Sequence, residues 1–189
     1  MDKLSLYPIL NYTDSSRQRR REAYRWITQN PNALLPLMEI AFLIDDPISC
    51  KACWVLEATV KENPIVLKPH IVYFTENIGS VHLDSAVRPI AKICEILMGN
   101  YFSQKKNEIQ TTLSERDLEL IATACFDWLI GPHKVAAQAY SMTSLFLLGK
   151  KFDWIHPQLK SVLQNNYTRG SAAYKARARM ILKRLSRTE

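Results

Sequence analysis

Residues 83–97 read LDSAVRPIAKICEIL, and the helical pattern in this stretch recurs along the chain. Its apolar side chains follow one another at intervals of three and four residues, the period of an amphipathic helix. Arg88, Lys92 and Glu95 form the remaining polar strip. A helix that is polar along a single strip must be packed on its other sides, so the pattern predicts a helix inside a stack of helices.

The two ends of this helix also carry local signals. Asp84 is placed to cap the N terminus, and Pro89 is expected in the first turn, where a missing N–H costs least. Gly99 follows the last apolar residue and is expected to take the left-handed C-terminal cap conformation. The sequence therefore predicts a helix over residues 84–99.

A small residue repeats at a nearly constant spacing. Ala91 aligns with Ala52, Ala137 and Ala178, at intervals of 39, 46 and 41 residues. A small side chain at this position lets neighbouring helices approach closely. Three of the four units also place a cation three residues before the alanine, the exception being Ser49 in the first unit; these cations are Arg88, Lys134 and Lys175. Periods of this length indicate a helical repeat.

This pattern resembles the second helix of a HEAT/armadillo repeat, as found in small HEAT-like proteins of unassigned function. The resemblance implies an all-α fold: a right-handed α-α superhelix of about four antiparallel helix pairs plus an N-terminal helix. We expect one HEAT-like domain over residues 1–189. The approximate helix pairs are 33–62, 65–99, 114–148 and 153–186.

Turn and capping residues divide the rest of the chain. Residues 1–14 are expected to be a short lead-in with a turn at Tyr7-Pro8, after which Ser15 or Ser16 caps a first helix. Residues 100–113 are polar and are interpreted as an insertion between repeats. Ser114 and Asp117 predict a capping box at the next helix.

Composition favours a soluble protein. The chain has 189 residues and only five glycines, and it lacks the run of about 20 apolar residues that a membrane span requires. Its first residues do not have the layout of a signal peptide. We therefore expect a cytoplasmic protein that does not enter a membrane, and the sequence does not predict its oligomeric state.

The four cysteines are expected to be structural. Cys50 and Cys53 have the spacing of a metal or redox pair, but no second Cys or His pair completes a zinc set. Free cysteine at apolar helix positions behaves as a small hydrophobic residue. The sequence thus predicts neither a metal site nor a cofactor.

Positive charge is distributed unevenly. The net charge is +7, and most of the surplus lies on the second helices of the predicted pairs. In HEAT-like proteins these helices line the concave face, so the resemblance implies a basic inner surface. Its candidate binding residues are Arg88, Lys92, Lys134, Lys175 and Arg179. A secondary basic cluster begins the first helix and contains Arg17, Arg20, Arg21 and Arg25. Solvated charge that binds nothing is the alternative interpretation.

A basic surface attracts acidic partners. We expect the concave face to bind an acidic protein or peptide. The alternative is binding of a nucleic-acid backbone through the same face and the secondary cluster. Phosphate binding should weaken steeply with salt, whereas a protein interface with an apolar centre should not.

The sequence carries no catalytic motif. It has no His-Glu-x-x-His, nucleophile elbow, P-loop or dinucleotide fingerprint, and it lacks the Gly-Ser-Ser-x-Met-Pro loop of the adenylosuccinate lyase superfamily. A distant resemblance to AlkD-like DNA glycosylases rests on a basic concave face, tryptophans and an acid. Candidates for those roles are Asp127-Trp128, Trp54 with Glu57, and Trp154. Asp127, however, is predicted to lie on the first helix of its pair. A non-catalytic binding protein is the expectation.

Overall fold

A computed structural model of the chain describes residues 3–14 and 16–187, with Arg17 described by its backbone alone. The regular secondary structure of these residues is entirely helical. Short 3₁₀ turns separate or extend several of the α-helices. The α-helices are α1 (Tyr7–Tyr12), α2 (Arg17–Gln29), α3 (Leu34–Ala41), α4 (Ile48–Glu62), α5 (Ile71–Asn77), α6 (Asp84–Tyr101), α7 (Ile109–Thr112), α8 (Glu115–Ile130), α9 (Val135–Leu148), α10 (Ile155–Tyr167) and α11 (Ala172–Leu185).

Serine residues cap three of these helices. Ser16 accepts a hydrogen bond from the backbone N–H of Arg19, and Ser171 accepts one from that of Tyr174. Ser114 forms a full capping box with Asp117. The predicted caps at Ser16 and Ser114 are thus confirmed, while Ser15 lies outside the described residues. Each cap satisfies a backbone N–H that has no partner within its own helix.

The N-terminal segment departs from its prediction as a lead-in with a turn at Tyr7-Pro8. Residues Tyr7–Tyr12 form α1, and Pro8 lies in its first turn. Proline is well tolerated there because the first helical N–H groups have no acceptor in the helix. Leu6 and Leu10 are one helical turn apart and both are fully buried, so packing stabilises this short helix.

Three details of the helix predicted at 84–99 are wrong. Leu83, not Asp84, occupies the N-cap position, and Asp84 is the first helical residue. Gly99 lies inside α6, which continues to Tyr101, and no glycine among the described residues has a positive φ. Pro89 lies beyond the first turn. Tyr101 and Phe102 pack against the core, and the helix continues past Gly99 to reach them.

The first helix of the predicted pair 65–99 is broken into shorter pieces. Pro64–His70 is a 3₁₀ turn with Pro69 inside it, and α5 follows. Proline removes a backbone donor and clashes with the preceding turn of an α-helix, which explains why a regular helix begins only at Ile71. α5 packs on α8, whereas α6 packs mainly on α4 and α9.

Five helices form a row in which each contacts the next. The order is α2, α4, α6, α9 and α11. The other main helices flank this row: α3 contacts α4, α8 contacts α9, and α10 contacts both α9 and α11. The buried apolar side chains lie between the row and its flanking helices and include Leu56, Ile90 and Leu145. No helix in the described residues is long and apolar enough to cross a membrane.

The segment predicted as an insertion, residues 100–113, is held by side-chain amides. Asn107 donates to the carbonyl oxygens of Asn100 and Lys105 at 2.8 and 3.0 Å. Gln110 donates to the carbonyl oxygens of Tyr101 and Ser103 at 3.2 and 2.8 Å. These side-chain hydrogen bonds hold the segment between α6 and α7 in place of helical backbone hydrogen bonds.

Gly149 sits directly beneath a histidine ring, so Gly149→Ala should destabilise the fold. A Cβ at this position would lie 1.9 Å from Cδ2 of His156. The His156 ring stacks on Phe146, and its Nε2 donates to the Phe146 carbonyl oxygen at 2.9 Å. The added methyl must displace the ring and break both contacts. We expect the free energy of unfolding to fall by about 1–3 kcal/mol, measured by urea denaturation.

Gly99→Ala is the matched control. Gly99 is exposed inside α6, and an added Cβ would meet nothing within 4 Å. Alanine is a better helix former than glycine, so this variant should gain up to about 1 kcal/mol. Equal stability of the two variants would contradict the collision with His156.

Candidate functional site

Two of the cations predicted for the concave face form ion pairs with glutamates of the same surface. Arg88 on α6 donates to both carboxylate oxygens of Glu57 on α4, at 2.6 and 3.4 Å. Lys92 donates to Glu95 at 2.6 Å and lies over the ring of Tyr140, 4.7 Å from its centroid. The Arg88–Glu57 pair joins α6 to α4, whereas the Lys92–Glu95 pair lies within α6.

The other three predicted cations lie at the start of α9 and on α11. Lys134 is exposed at the residue before α9, and Lys175 is half-buried on α11. Arg179 donates through Nε to the hydroxyl of Tyr167 on α10 at 3.3 Å. Arg177 on α11, which was not predicted as a site residue, contacts α9 and α6: it donates to Thr143 at 3.1 Å and lies 4.0 Å from Glu95.

The secondary basic cluster belongs to a cleft, because α2 packs on α4. This cleft, which we call the basic cleft, has a volume of about 650 Å³. Its lining residues are Arg20, Arg21, Tyr24, Arg25, Trp54, Glu57, Ala58, Lys61 and Glu62. Arg17, the remaining member of the predicted cluster, has a side chain outside the described part of the structure.

Trp54 is held in the wall of the basic cleft by an unusual backbone partner. Its Nε1–H donates to the carbonyl oxygen of Ser85 at 2.9 Å. In a regular helix that oxygen would accept from residue 89, but Pro89 has no N–H to donate. The proline therefore leaves an acceptor on α6 that the indole of α4 satisfies, and the position of the tryptophan ring follows from it.

The electrostatics of the basic cleft are strongly one-sided. Arg20, Arg21, Arg25 and Lys61 line it, against the carboxylates of Glu57 and Glu62. Glu57 is already neutralised by Arg88. Among the described residues, Arg21, Arg25 and Lys61 take part in no ion pair. The cleft thus concentrates cations, three of which form no ion pair within the described structure.

The residues considered for a glycosylase-like role lie apart. Asp127 is exposed on α8, and neighbouring Trp128 is buried, with its Nε1–H donating to the Val81 carbonyl oxygen at 3.3 Å. Trp154 is exposed and stacks on Phe126. Only Trp54 and Glu57 line the basic cleft, and the carboxylate of Glu57 is committed to Arg88.

Sequence reasoning missed Tyr24 and Lys61 as residues of this site. The signal for Tyr24 was present, since it lies one helical turn from Arg20 and Arg21 on α2. Nothing in the sequence indicated that this side would face α4. Trp54 was named for a glycosylase-like role, and it is partly buried in the wall of the cleft.

The cysteines are free thiols in the folded chain. Cys53 and Cys94 are fully buried, and burial raises the pKa of each thiol, which keeps both protonated and slow to react. Cys50 is half-buried, and partial burial raises its pKa as well. Among the described residues, no three His, Cys, Asp or Glu side chains are grouped so that they could hold a metal ion.

No protein-family model matches this chain, and no curated protein or solved structure matches it either.

Proposed function

We propose that this protein is a non-catalytic HEAT-like repeat protein whose basic surface binds an acidic protein or peptide. The row of helices α2, α4, α6, α9 and α11 would form its concave layer, and the basic cleft would be the main contact point. The single observation that carries this proposal is the concentration of uncompensated cations in that cleft.

The repeat assignment is supported by the aligned alanines. Ala52, Ala91, Ala137 and Ala178 are all at most 1% exposed, and each lies on a helix of the row. A residue without a side chain beyond Cβ allows close helix approach at the same place in every unit. That is the packing expected when one helical unit stacks on the next.

The mixture of charges favours a protein partner. Carboxylates pair with cations from the edge of the cleft onto α6, where Glu57 holds Arg88 and Glu95 holds Lys92. An extended polyphosphate backbone would meet these acids repeatedly, and the repulsion would lower its affinity. A folded or extended polypeptide can place acidic residues opposite the cleft and neutral or basic residues opposite Glu95.

Nucleic-acid binding is the second candidate function, favoured by one observation. Tyr24 and Trp54 lie in the same cleft as three arginines, and aromatic faces beside cations are the usual platform for unpaired bases. This candidate requires bound phosphates along the row as well, which the pairing of Arg88 and Lys92 disfavours.

Fluorescence anisotropy with labelled acidic peptides tests the proposal. A 12-residue peptide rich in Glu and Asp should bind, and affinity should fall by at least about tenfold in the double variant Arg21→Glu/Arg25→Glu, since two charge-assisted contacts are replaced by repulsion. Affinity for the peptide should decline only gently between low and physiological salt if the aromatic walls contribute.

Arg116→Glu/Arg169→Glu is the matched control. It makes the same change in net charge at two exposed arginines that do not line the basic cleft. Retained binding in this control, with loss in the cleft variant, supports the proposal. If both variants lose affinity equally, the attraction comes from net charge alone and the cleft is not the site. A labelled oligonucleotide that binds more tightly, with a steep salt dependence, would favour the second candidate.

A further inference from the structure

The basic cleft differs in charge from the neighbouring surface of α6. On α6, Arg88 and Lys92 are each neutralised at 2.6 Å by a glutamate. In the basic cleft, Arg21, Arg25 and Lys61 meet no carboxylate partner in the described residues. A surface that tracks a long polyanion needs cations at regular intervals. The paired cations of α6 interrupt such a series beside the basic cleft, so the cleft is considered as a local cationic pocket.

The shape of the pocket matches one side chain of a partner. Arg21 and Arg25 are one helical turn apart on α2, so their guanidinium groups rise from the same side of that helix. Lys61 faces them from α4 across the cleft. A volume of about 650 Å³ is in the range of pockets that take a single small molecule, and it exceeds what one carboxylate requires.

The aromatic walls and the cations of the cleft suit different parts of one ligand. Tyr24 and Trp54 contribute aromatic surface, and Trp54 is fixed by its hydrogen bond to Ser85. Guanidinium groups bind phosphate oxygens in paired hydrogen bonds. A phosphate monoester carries about −1.5 to −2 charges and three acceptor oxygens, against one charge and two oxygens on a carboxylate. A phosphate monoester can therefore bind several cations at the same time.

We infer that the basic cleft binds a phosphotyrosine side chain within an acidic segment of the partner protein. The phosphate contacts Arg21, Arg25 and Lys61, and the phenyl ring packs against Tyr24 and Trp54. This inference rests on the proposed function, because it names the group that anchors the acidic partner at the same site.

Matched peptides test the inference by fluorescence anisotropy. Two labelled 12-residue acidic peptides differ only in a central tyrosine or phosphotyrosine. The phosphorylated peptide should bind at least about tenfold more tightly, because charge-assisted bonds form with the phosphate alone. Phenyl phosphate should compete with it. Arg21→Glu/Arg25→Glu should abolish the difference between the two peptides, and Arg116→Glu/Arg169→Glu should preserve it.

The possible outcomes separate this inference from the proposed function. Equal affinity of the two peptides, lost in the cleft variant, would overturn the phosphotyrosine site and leave acidic-peptide binding intact. Binding of neither peptide would overturn both. A single-stranded oligonucleotide that displaces the phosphopeptide at lower concentration, through the same arginines, would replace both with nucleic-acid binding. Thermal melts of each variant, followed by circular dichroism, establish that losses in binding occur in folded protein.

Discussion

Trp128→Ala is expected to lower the free energy of unfolding by about 3–5 kcal/mol, the largest stability loss that we predict for a single substitution. Trp128 is only 2% exposed, in the core between α8 and its neighbours. Its indole N–H donates to the carbonyl oxygen of Val81, just before α6. Truncation creates a large cavity and also leaves a buried carbonyl without its donor. Urea denaturation followed by circular dichroism measures the loss.

Trp154→Ala is the control for this prediction. The chemical change is identical, but Trp154 is 51% exposed and rests on Phe126 with ring centroids 5.7 Å apart. Only the stacking contact and partial burial are lost, so we expect a decrease below about 1.5 kcal/mol. Similar losses for the two tryptophans would mean that Trp128 is not the core residue described here.

Asp117→Ala is expected to cost about 3 kcal/mol, combining a lost helix cap with buried hydrogen bonds left unpaired. Asp117 is 3% exposed, and its Oδ1 accepts from the hydroxyl of Thr75 on α5 at 2.6 Å. Its Oδ2 accepts from the backbone N–H and the hydroxyl of Ser114, at 2.8 and 2.6 Å. One carboxylate thus starts α8 and joins it to α5. Chemical denaturation again provides the measurement.

Asp127→Ala tests whether position matters more than residue type. Asp127 lies on the same helix but is exposed, and we expect its replacement to change stability by no more than about 0.5 kcal/mol. Substitution of Asp127 should also leave peptide binding unchanged, since its side chain does not line the basic cleft. A small effect at Asp117, matching that at Asp127, would contradict the described network.

Serine caps were the most predictable features. Ser16 and Ser114 were assigned as caps from the sequence, and each accepts the expected backbone hydrogen bond. Such bonds join residues three apart, so neighbouring side chains suffice to specify them. Helix ends were less predictable: Gly99 was expected to end α6, but packing carried the helix on to Tyr101.

The sequence predicted which residues carry charge on the surface, but not which residues they pair with. Arg88 and Lys92 were selected because they share the polar strip of α6. The sequence could not indicate that Glu57, 31 residues from Arg88, would neutralise it. Likewise α2 was predicted as a leading helix, and only its packing on α4 brings Arg21 and Arg25 opposite Lys61.

The sequence alone therefore determined the helical class, the caps at Ser16 and Ser114, and the small residues that became buried in the row of helices. Periodicity and capping act between near neighbours in the chain, so local patterns encode them. Tertiary structure decided which cations are neutralised, where the basic cleft lies, and how Pro89 leaves a carbonyl for Trp54. Those outcomes depend on distances between residues far apart in sequence, and these distances exist only after the helices have packed.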